Sequence, residues 1–540
     1  MKKNIICTAA LPYANGPIHI GHLVEYLQVD FWTRFKKMQG HHCLYICADD
    51  AHGTPIMLKA KSLNITPEKL TADMQTEHLN DFSKFEIIFD HYSSTNTNYN
   101  KELCYEIYES MKKNITEKSI KQLYCNNDKM FLPDRFTKGT CPKCKAEDQN
   151  GDSCDSCGET YSPTEVLDPK CSICGKTPIL KESSHLFYKL ENFREFLKEW
   201  IKDHTPKEVQ KKLQEWLKND LANWDISRDK PYFGFEIPDH KDKFFYVWLD
   251  APVAYLASTK EWAEKNKIDF KKFWNATDTE IYHFIGKDIV YFHCLFFPSM
   301  LKNSEYKLAN NIFVHGHLTF QGKKMSKSKG TLISAKHFGE TLNPLYLRYY
   351  LASKLNSNAS DLDFSIEDFY QKTNSELLSK ITNLASRSVQ MINKKLENKL
   401  SSCSKEGLLL IKKIQKANIE IAKLYDNREF SKAISLIRSL SEEANQYFDK
   451  KEPWKKIKDS PLEAHQVLTD IVNVFRILNI YLTPILPSYS KQVASLFNED
   501  ANYKWKDHET ILENCDVKKY EHLLARIDIK DAEKLQTGSQ

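Results

Sequence analysis

Three stretches of the 540-residue chain carry side chains spaced for chemistry. In PYANGPIHIGH, residues 12–22, His19 and His22 stand three apart beside Gly16 and Gly21. That spacing places both imidazoles on one face of a helix's first turn, next to backbone N–H groups without intrahelical partners. At the carboxyl end of a buried strand, such a turn suits a transferring phosphate. The plainer reading is one capping histidine and one packed in the core. In GKKMSKSKG, residues 322–330, Lys323, Lys324, Lys327 and Lys329 sit with two serines between glycines. Read functionally this is a cationic clamp on a triphosphate; read plainly it is a solvated surface loop.

The third stretch holds three C-x-x-C pairs: residues 141–144, 154–157 and 171–174. Two pairs nine residues apart supply four thiolates for a tetrahedral zinc ion. Redox use of C-x-x-C is the competitor, but no thioredoxin-like strand–helix pattern surrounds these pairs. Seven of the fourteen cysteines fall between Cys125 and Cys174. That clustering indicates metal thiolates in a reducing compartment, so a cytoplasmic protein is expected. Lys2 and Lys3 before a short apolar stretch imitate a signal peptide, but the run ends too early, at Pro12.

These groups need a frame. Residues 4–10 (NIICTAA) read as a buried strand. Leu23, Leu27, Trp32 and Phe35 then take helical spacing up to Gly40, and LYICADD is a second apolar run ending at Asp49 and Asp50. Strand, turn, helix, strand opens a parallel α/β sheet. From about residue 116 the pattern changes, with no ordinary helix or strand expected between Pro133 and Pro178. Strand-like text returns at 282–286 and 311–316. Beyond 366 the spacing is helical, as in Leu377, Ile381, Leu384 and Val389, and Pro484 and Pro487 break the apolar run from Ile471 to Leu496. The predicted fold is a Rossmann-like parallel α/β sheet split by a zinc-binding insertion and followed by an α-helical bundle. Its segments are 1–115 and 231–320 for the sheet, 116–230 for the insertion, 321–365 for the cationic loop and linking region, and 366–540 for the helices.

Composition agrees. With 41% hydrophobic and 28% charged residues, collagen-like, low-complexity and wholly disordered classes are excluded. No apolar run is long enough to span a membrane. A net charge of +5 permits a polyanionic partner without requiring one.

His19-Ile20-Gly21-His22 and Lys324-Met325-Ser326-Lys327-Ser328 are the two signatures of class I aminoacyl-tRNA synthetases. With AALPYANGPIHIGH, ICADDAHGTP, YVWLDAPVAY, HFIGKDIVYFH and KKMSKSKG, the chain resembles the methionyl-tRNA synthetase family from Asn4 to about residue 530. The resemblance implies activation of methionine with ATP to methionyl-adenylate and pyrophosphate, then transfer to the 3′-terminal adenosine of tRNA, initiator or elongator. It implies that His19, His22, Lys324 and Lys327 are catalytic and that Tyr13, Asn15, Gly16, Gly21 and Asp288 join His19, His22 and Lys327 in binding ATP with magnesium. It assigns Ala10, Leu11, Tyr13, Asp50, Trp248, Ala251, Pro252, Tyr255, Ile289 and His293 to methionine, with Asp50 near the ammonium group. Aromatic rings suit a polarizable thioether. Apolar contact alone discriminates against leucine by only ~1–3 kcal/mol, so His293 or Tyr13 is expected to reach the sulfur.

The resemblance also selects Cys141, Cys144, Cys154 and Cys157 as the zinc set. Cys125, Asp128, Cys171 and Cys174 are either a second, Cys3Asp site or a degenerate, empty knuckle. Asn383, Arg387 and Trp454 match the positions that read the CAU anticodon. The chain stops at Gln540 without the appended dimer-forming segment of longer relatives, so a monomer is expected, or a dimer if an extension is missing. The alternatives are an adenylate-forming nucleotidyltransferase acting on a small molecule and a non-catalytic RNA-binding zinc protein. The first is distinguished by absence of tRNA binding, the second by absence of adenylation.

Overall fold

The computed structural model describes the chain except residues 1, 133–135, 152, 155, 158, 160, 219–220, 326–331 and 538–540. Strand β1 (Asn4–Ala9) leads through a turn into helix α1 (Ile20–Met38), and β2 (His42–Asp49) returns beside β1. After β3 (His91–Ser94) come the insertion, helix α2 (Val247–Lys265), β4 (Thr279–Gly286) and β5 (Asn311–His315). The strands pair in parallel in the order β5-β4-β1-β2-β3. Ligands gather at the carboxyl ends of such strands, where the winding reverses around β1. Ala10, Asp50 and Asp288 therefore emerge on one edge.

Helix α1 is buried on most sides because it lies between this sheet and the helical bundle. Val24, Leu27, Phe31 and Phe35 are each fully buried. Burial of a side chain of this size contributes about 1.5–3 kcal/mol. Phe35 stacks on Tyr425 with centroids 5.1 Å apart, and Trp32 Nε1 donates to the Asp426 carbonyl at 3.1 Å. Arg348, fully buried, fixes the junction. It pairs with Asp30 of α1 at 2.7 Å and donates to the carbonyls of Phe85, Pro484 and Ile485. A guanidinium removed from water persists only with its hydrogen bonds filled this way.

The insertion rises on two long antiparallel strands, Ile115–Cys125 and Ile179–Tyr188, paired from Ile115↔Tyr188 to Tyr124↔Ile179. Cys125 stands at the far end. Short strands also occur where none was expected: Thr137–Thr140 pairs with Gln149–Asn150 and with Leu167–Cys171. Two to five residues between cysteine turns are too few to show an alternating pattern.

The C-terminal part is helical, and the run broken by proline forms two helices, Pro461–Leu482 and Pro487–Leu496. One departure is local. Residues 372–382 form a wide π-helical stretch before the α-helix of Asn383–Lys395. Leu377 and Ile381 remain buried, so the apolar spacing survives the change of winding.

Candidate active site

The histidine turn is held by its own rings. His19 is the N-cap of α1, and its Nδ1 accepts from the N–H groups of Gly21 (3.1 Å) and His22 (3.3 Å). His22 Nδ1 accepts in turn from the His19 N–H at 3.3 Å, and the two rings stack 3.6 Å apart. The capping role and the phosphate role thus coexist in the same residues. Both Nδ1 atoms are acceptors, so the ring protons lie on Nε2. Burial, with His19 and His78 nearby, pushes the His22 imidazole well below its ordinary pKa. It is a neutral donor.

Behind this turn, His78 Nε2 donates to the Gly16 carbonyl at 2.8 Å, while Nδ1 lies 2.7 Å from Asp49 Oδ1. Tyr92 also donates to Asp49. Gly16, expected at the nucleotide, is therefore the anchor point of the turn and does not line the cleft.

A cavity of about 990 Å³ opens over the strand ends. Ala10, Leu11, Tyr13, Asn15, His19, Gly21, His22, Asp50, Trp248, Asp288 and Ile289 line it. Ala251, Pro252, Tyr255 and His293 lie beneath, buried in α2 and in the π-helical turn Phe292–Phe296. Trp248 lies flat on Phe292, 4.0 Å away and 2° from parallel. His293 Nδ1 donates to the Ile289 carbonyl at 3.1 Å, and Tyr255 OH donates to Nε2 at 2.9 Å. Burial lowers the His293 pKa to about 4, so the ring is neutral. With Tyr13 OH donating to the His52 carbonyl at 2.9 Å, both side chains expected at a sulfur atom are engaged within the protein.

Asp50 is one of the acids lining the cleft, with Glu25, Asp288 and Asp361. Its carboxyl accepts from the His52 N–H, yet Oδ1 is buried without a hydrogen-bond partner. Burial and then Asp250 push its pKa well above the ordinary carboxylate value. A buried acceptor left open is costly unless something fills it, and a ligand cation would do so.

Lys327 lies outside the described residues, as does the Lys324 side chain. The flanks of their loop nevertheless meet the histidine turn. On one side Met325 lines the cleft, and a Cβ at Gly21 would come within 2.5 Å of its Cε. On the other, Ile20 N–H donates to the Ile333 carbonyl and Ala335 N–H to the Ile18 carbonyl.

Sequence reasoning missed several lining residues: Glu25, Arg228, Tyr232, His315 and His317. Glu25 pairs with His315 at 2.9 Å and accepts from the Ala10 N–H. Its one signal was an acid among the buried positions of α1. The others reach the cleft from remote segments and gave none.

The sulfurs of Cys141, Cys144, Cys154 and Cys157 converge, with Cys141–Cys157 at 3.9 Å and Cys144–Cys154 at 3.5 Å. The N–H groups of Cys144 and Cys157 donate to Cys141 and Cys154 Sγ, stabilising thiolates as metal binding requires. Cys125, Asp128, Cys171 and Cys174 converge in the same way, and Asp128 Oδ2 lies 3.2 Å from both Cys125 and Cys171 Sγ. Both donor sets fit zinc.

On the bundle, the Arg387 guanidinium lies 4.3 Å from the Phe448 ring and 5.5 Å from Trp454, and it donates to Asp449 at 2.7 Å. Trp454 is 38% exposed. Asn383 precedes Arg387 by one turn of the same helix.

Comparison with known proteins agrees with this geometry. The family described as tRNA synthetases class I (M) matches residues 5–389, and the anticodon binding domain of methionyl tRNA ligase matches 400–535. The methionine–tRNA ligase of Bdellovibrio bacteriovorus is 52% identical over 530 residues, covering 98% of this chain and 77% of that protein. A Mycobacterium tuberculosis methionyl-tRNA synthetase in complex with methionyl-adenylate superposes with a TM-score of 0.80 at 22% identity, over 97% of this chain and 99% of that one. Its apo form gives 0.74 at 20% identity, over 98% and 99%. Among the described residues no helix is long and apolar enough to cross a membrane. With both family matches laid end to end over a parallel sheet, a histidine turn and a helical bundle, the chain belongs to the methionine–tRNA ligases of class I.

Proposed function

We propose that the cleft activates L-methionine with ATP in the following way. The ammonium group meets the open oxygen of Asp50, and the side chain enters past Ala10 and Leu11 toward Trp248 and Ile289. Ala251, Pro252, Tyr255 and His293 set the depth of that pocket from below. The ribose lies against Asp288, and Tyr13, Asn15 and the Gly16–Gly21 turn shape the phosphate path. The carboxylate attacks the α-phosphate in line, a step that needs positioning and charge stabilisation more than proton transfer. His19 and His22 serve it as Nε2–H donors. Since His22 is neutral, positive charge comes from Lys324, Lys327 and the magnesium that accompanies ATP. Transfer to the 3′-terminal adenosine follows, with Asn383, Arg387 and Trp454 reading the anticodon by base-edge hydrogen bonds and stacking.

In this reading 1–115 and 231–320 form the catalytic domain, 116–230 the insertion, 321–365 the loop and linking region, and 366–540 the anticodon-binding domain. Cys141, Cys144, Cys154 and Cys157 would hold one zinc ion, and Cys125, Asp128, Cys171 and Cys174 a second. Zinc supplies a structural crosslink there and no redox chemistry. Reduced thiols of this kind suit the cytoplasm. Two zinc ions per chain are expected by elemental analysis, and one would remove the second site.

The observation that carries the reading is the Asp50 carboxyl, one oxygen buried and unpartnered, in the wall of a cavity shared with the histidine turn. ATP–pyrophosphate exchange with each of the twenty amino acids tests it. Exchange with methionine alone is expected. Exchange with another amino acid, or none with methionine from zinc-replete protein, would refute the pocket assignment.

A further inference from the structure

Between Asp50 and Gly53 lies a histidine that the reading above leaves unused. His52 is 1% exposed and lies behind the cleft wall. It touches three parts of the methionine site at once. Its Nδ1 is paired with Asp250 Oδ2 in the first turn of α2, two residues from Trp248. Its N–H donates to the Asp50 carboxyl, and its carbonyl accepts from Tyr13 OH at 2.9 Å. The edges of Phe233 and Phe235, with centroids at 5.3 and 4.7 Å, hold the ring in place.

Asp250 is a second buried carboxylate close to Asp50, and its Oδ1 has no hydrogen-bond partner. Two acids so close in a dry site disfavour ionisation of both. The titratable groups around this pair are Asp49, Tyr13, Tyr232, Tyr255 and Cys104, with Arg228 beside Tyr232. The one basic group in contact with Asp250 among these is His52. The His52 ring holds Asp250 Oδ2 by a hydrogen bond and leaves Oδ1 open.

We propose that His52 is a positioning residue for methionine: it holds Asp250 through its ring and sets Asp50 and Tyr13 through its backbone. The inference rests on the reading of Asp50 as the ammonium partner.

The test is exchange kinetics against pH with three variants. His52→Asn keeps a hydrogen-bonding side chain beside Asp250 without the imidazole. Its KM for methionine should rise about tenfold with KM for ATP unchanged, and the acid limb of kcat/KM for methionine should move up by about one pH unit. Adding Asp250→Asn to His52→Asn should return that limb to its original position, which a merely structural role would not do. Asp250→Asn alone should move the limb to lower pH, so the test survives if His52→Asn fails to fold. An acid limb unmoved in both single variants, or a double variant that is not restored, would overturn the inference. If Asp50→Asn leaves KM for methionine unchanged, the ammonium reading itself falls. If Asp50→Asn collapses binding while His52→Asn does not, the inference alone falls.

Discussion

In the cleft, the histidines are paired within the protein before any ligand arrives, while one Asp50 oxygen is left open. His19 and His22 cap each other's backbone, His78 bridges Asp49 and Gly16, and His293 spends both ring nitrogens on Tyr255 and Ile289. The bundle surface proposed to read the anticodon is built differently. Arg387 lies on the buried Phe448 ring beside the exposed Trp454 and pairs with a half-exposed Asp449. The first arrangement fixes geometry to fractions of an ångström, as in-line chemistry requires. The second leaves donors and a stacking face available to bases that must be splayed before they can be read. The proposed chemistry thus sits on groups fixed within the protein, and the proposed reading on a more exposed face.

The contrast predicts unequal costs. Asp50→Asn removes one partner of a buried charge pair that forms with substrate, a loss of about 3–4 kcal/mol, so kcat/KM for methionine in exchange should fall about 10²–10³-fold. A decrease of less than tenfold would mean that the cleft tolerates an unpaired ammonium.

His293 makes the cost of burial visible as a pH effect. Its folded pKa is about 4, against 6.5 for an exposed imidazole, so the unfolded chain binds a proton that the folded one refuses. Its contribution to stability is therefore lost as pH falls from 6.5 toward 4. His293→Gln removes this liability. Relative to the parent, the variant should gain about 2 kcal/mol in urea unfolding between pH 7 and pH 5. An unchanged difference would show that the imidazole is already charged in the folded protein.

Asp449→Ala should do least. Exposed ion pairs contribute about 0–1 kcal/mol, so thermal stability should hold within a degree or two while tRNA charging changes less than threefold. A large loss would make that pair part of the preorganised machinery, and the contrast between the two regions would weaken.

How much of this was legible in the sequence follows the same division. The strand–turn–helix of residues 4–38 is local, so its hydrophobic pattern and its histidines stand together in the text. The cysteine pairs announce themselves by spacing, and their convergence is seen in both sets. Arg228, Tyr232 and His315 come to the cleft from remote segments, and only the fold brings them to Asp50 and Glu25. Both π-helical stretches were invisible, because a few residues cannot distinguish a wider turn from an α-helical one. One carries His293 and the other ends where Asn383 begins. Such wide turns recur at functional sites.

If adenylation and anticodon reading reside in separable surfaces, a chain carrying both Arg387→Ala and Trp454→Ala should lose one activity and keep the other. Pyrophosphate exchange with methionine and charging of methionine tRNA are measured on the same protein. Stacking on an aromatic contributes about 1–3 kcal/mol per base, so charging should fall at least tenfold while exchange stays within twofold of the parent. Equal losses in both assays would contradict the claim.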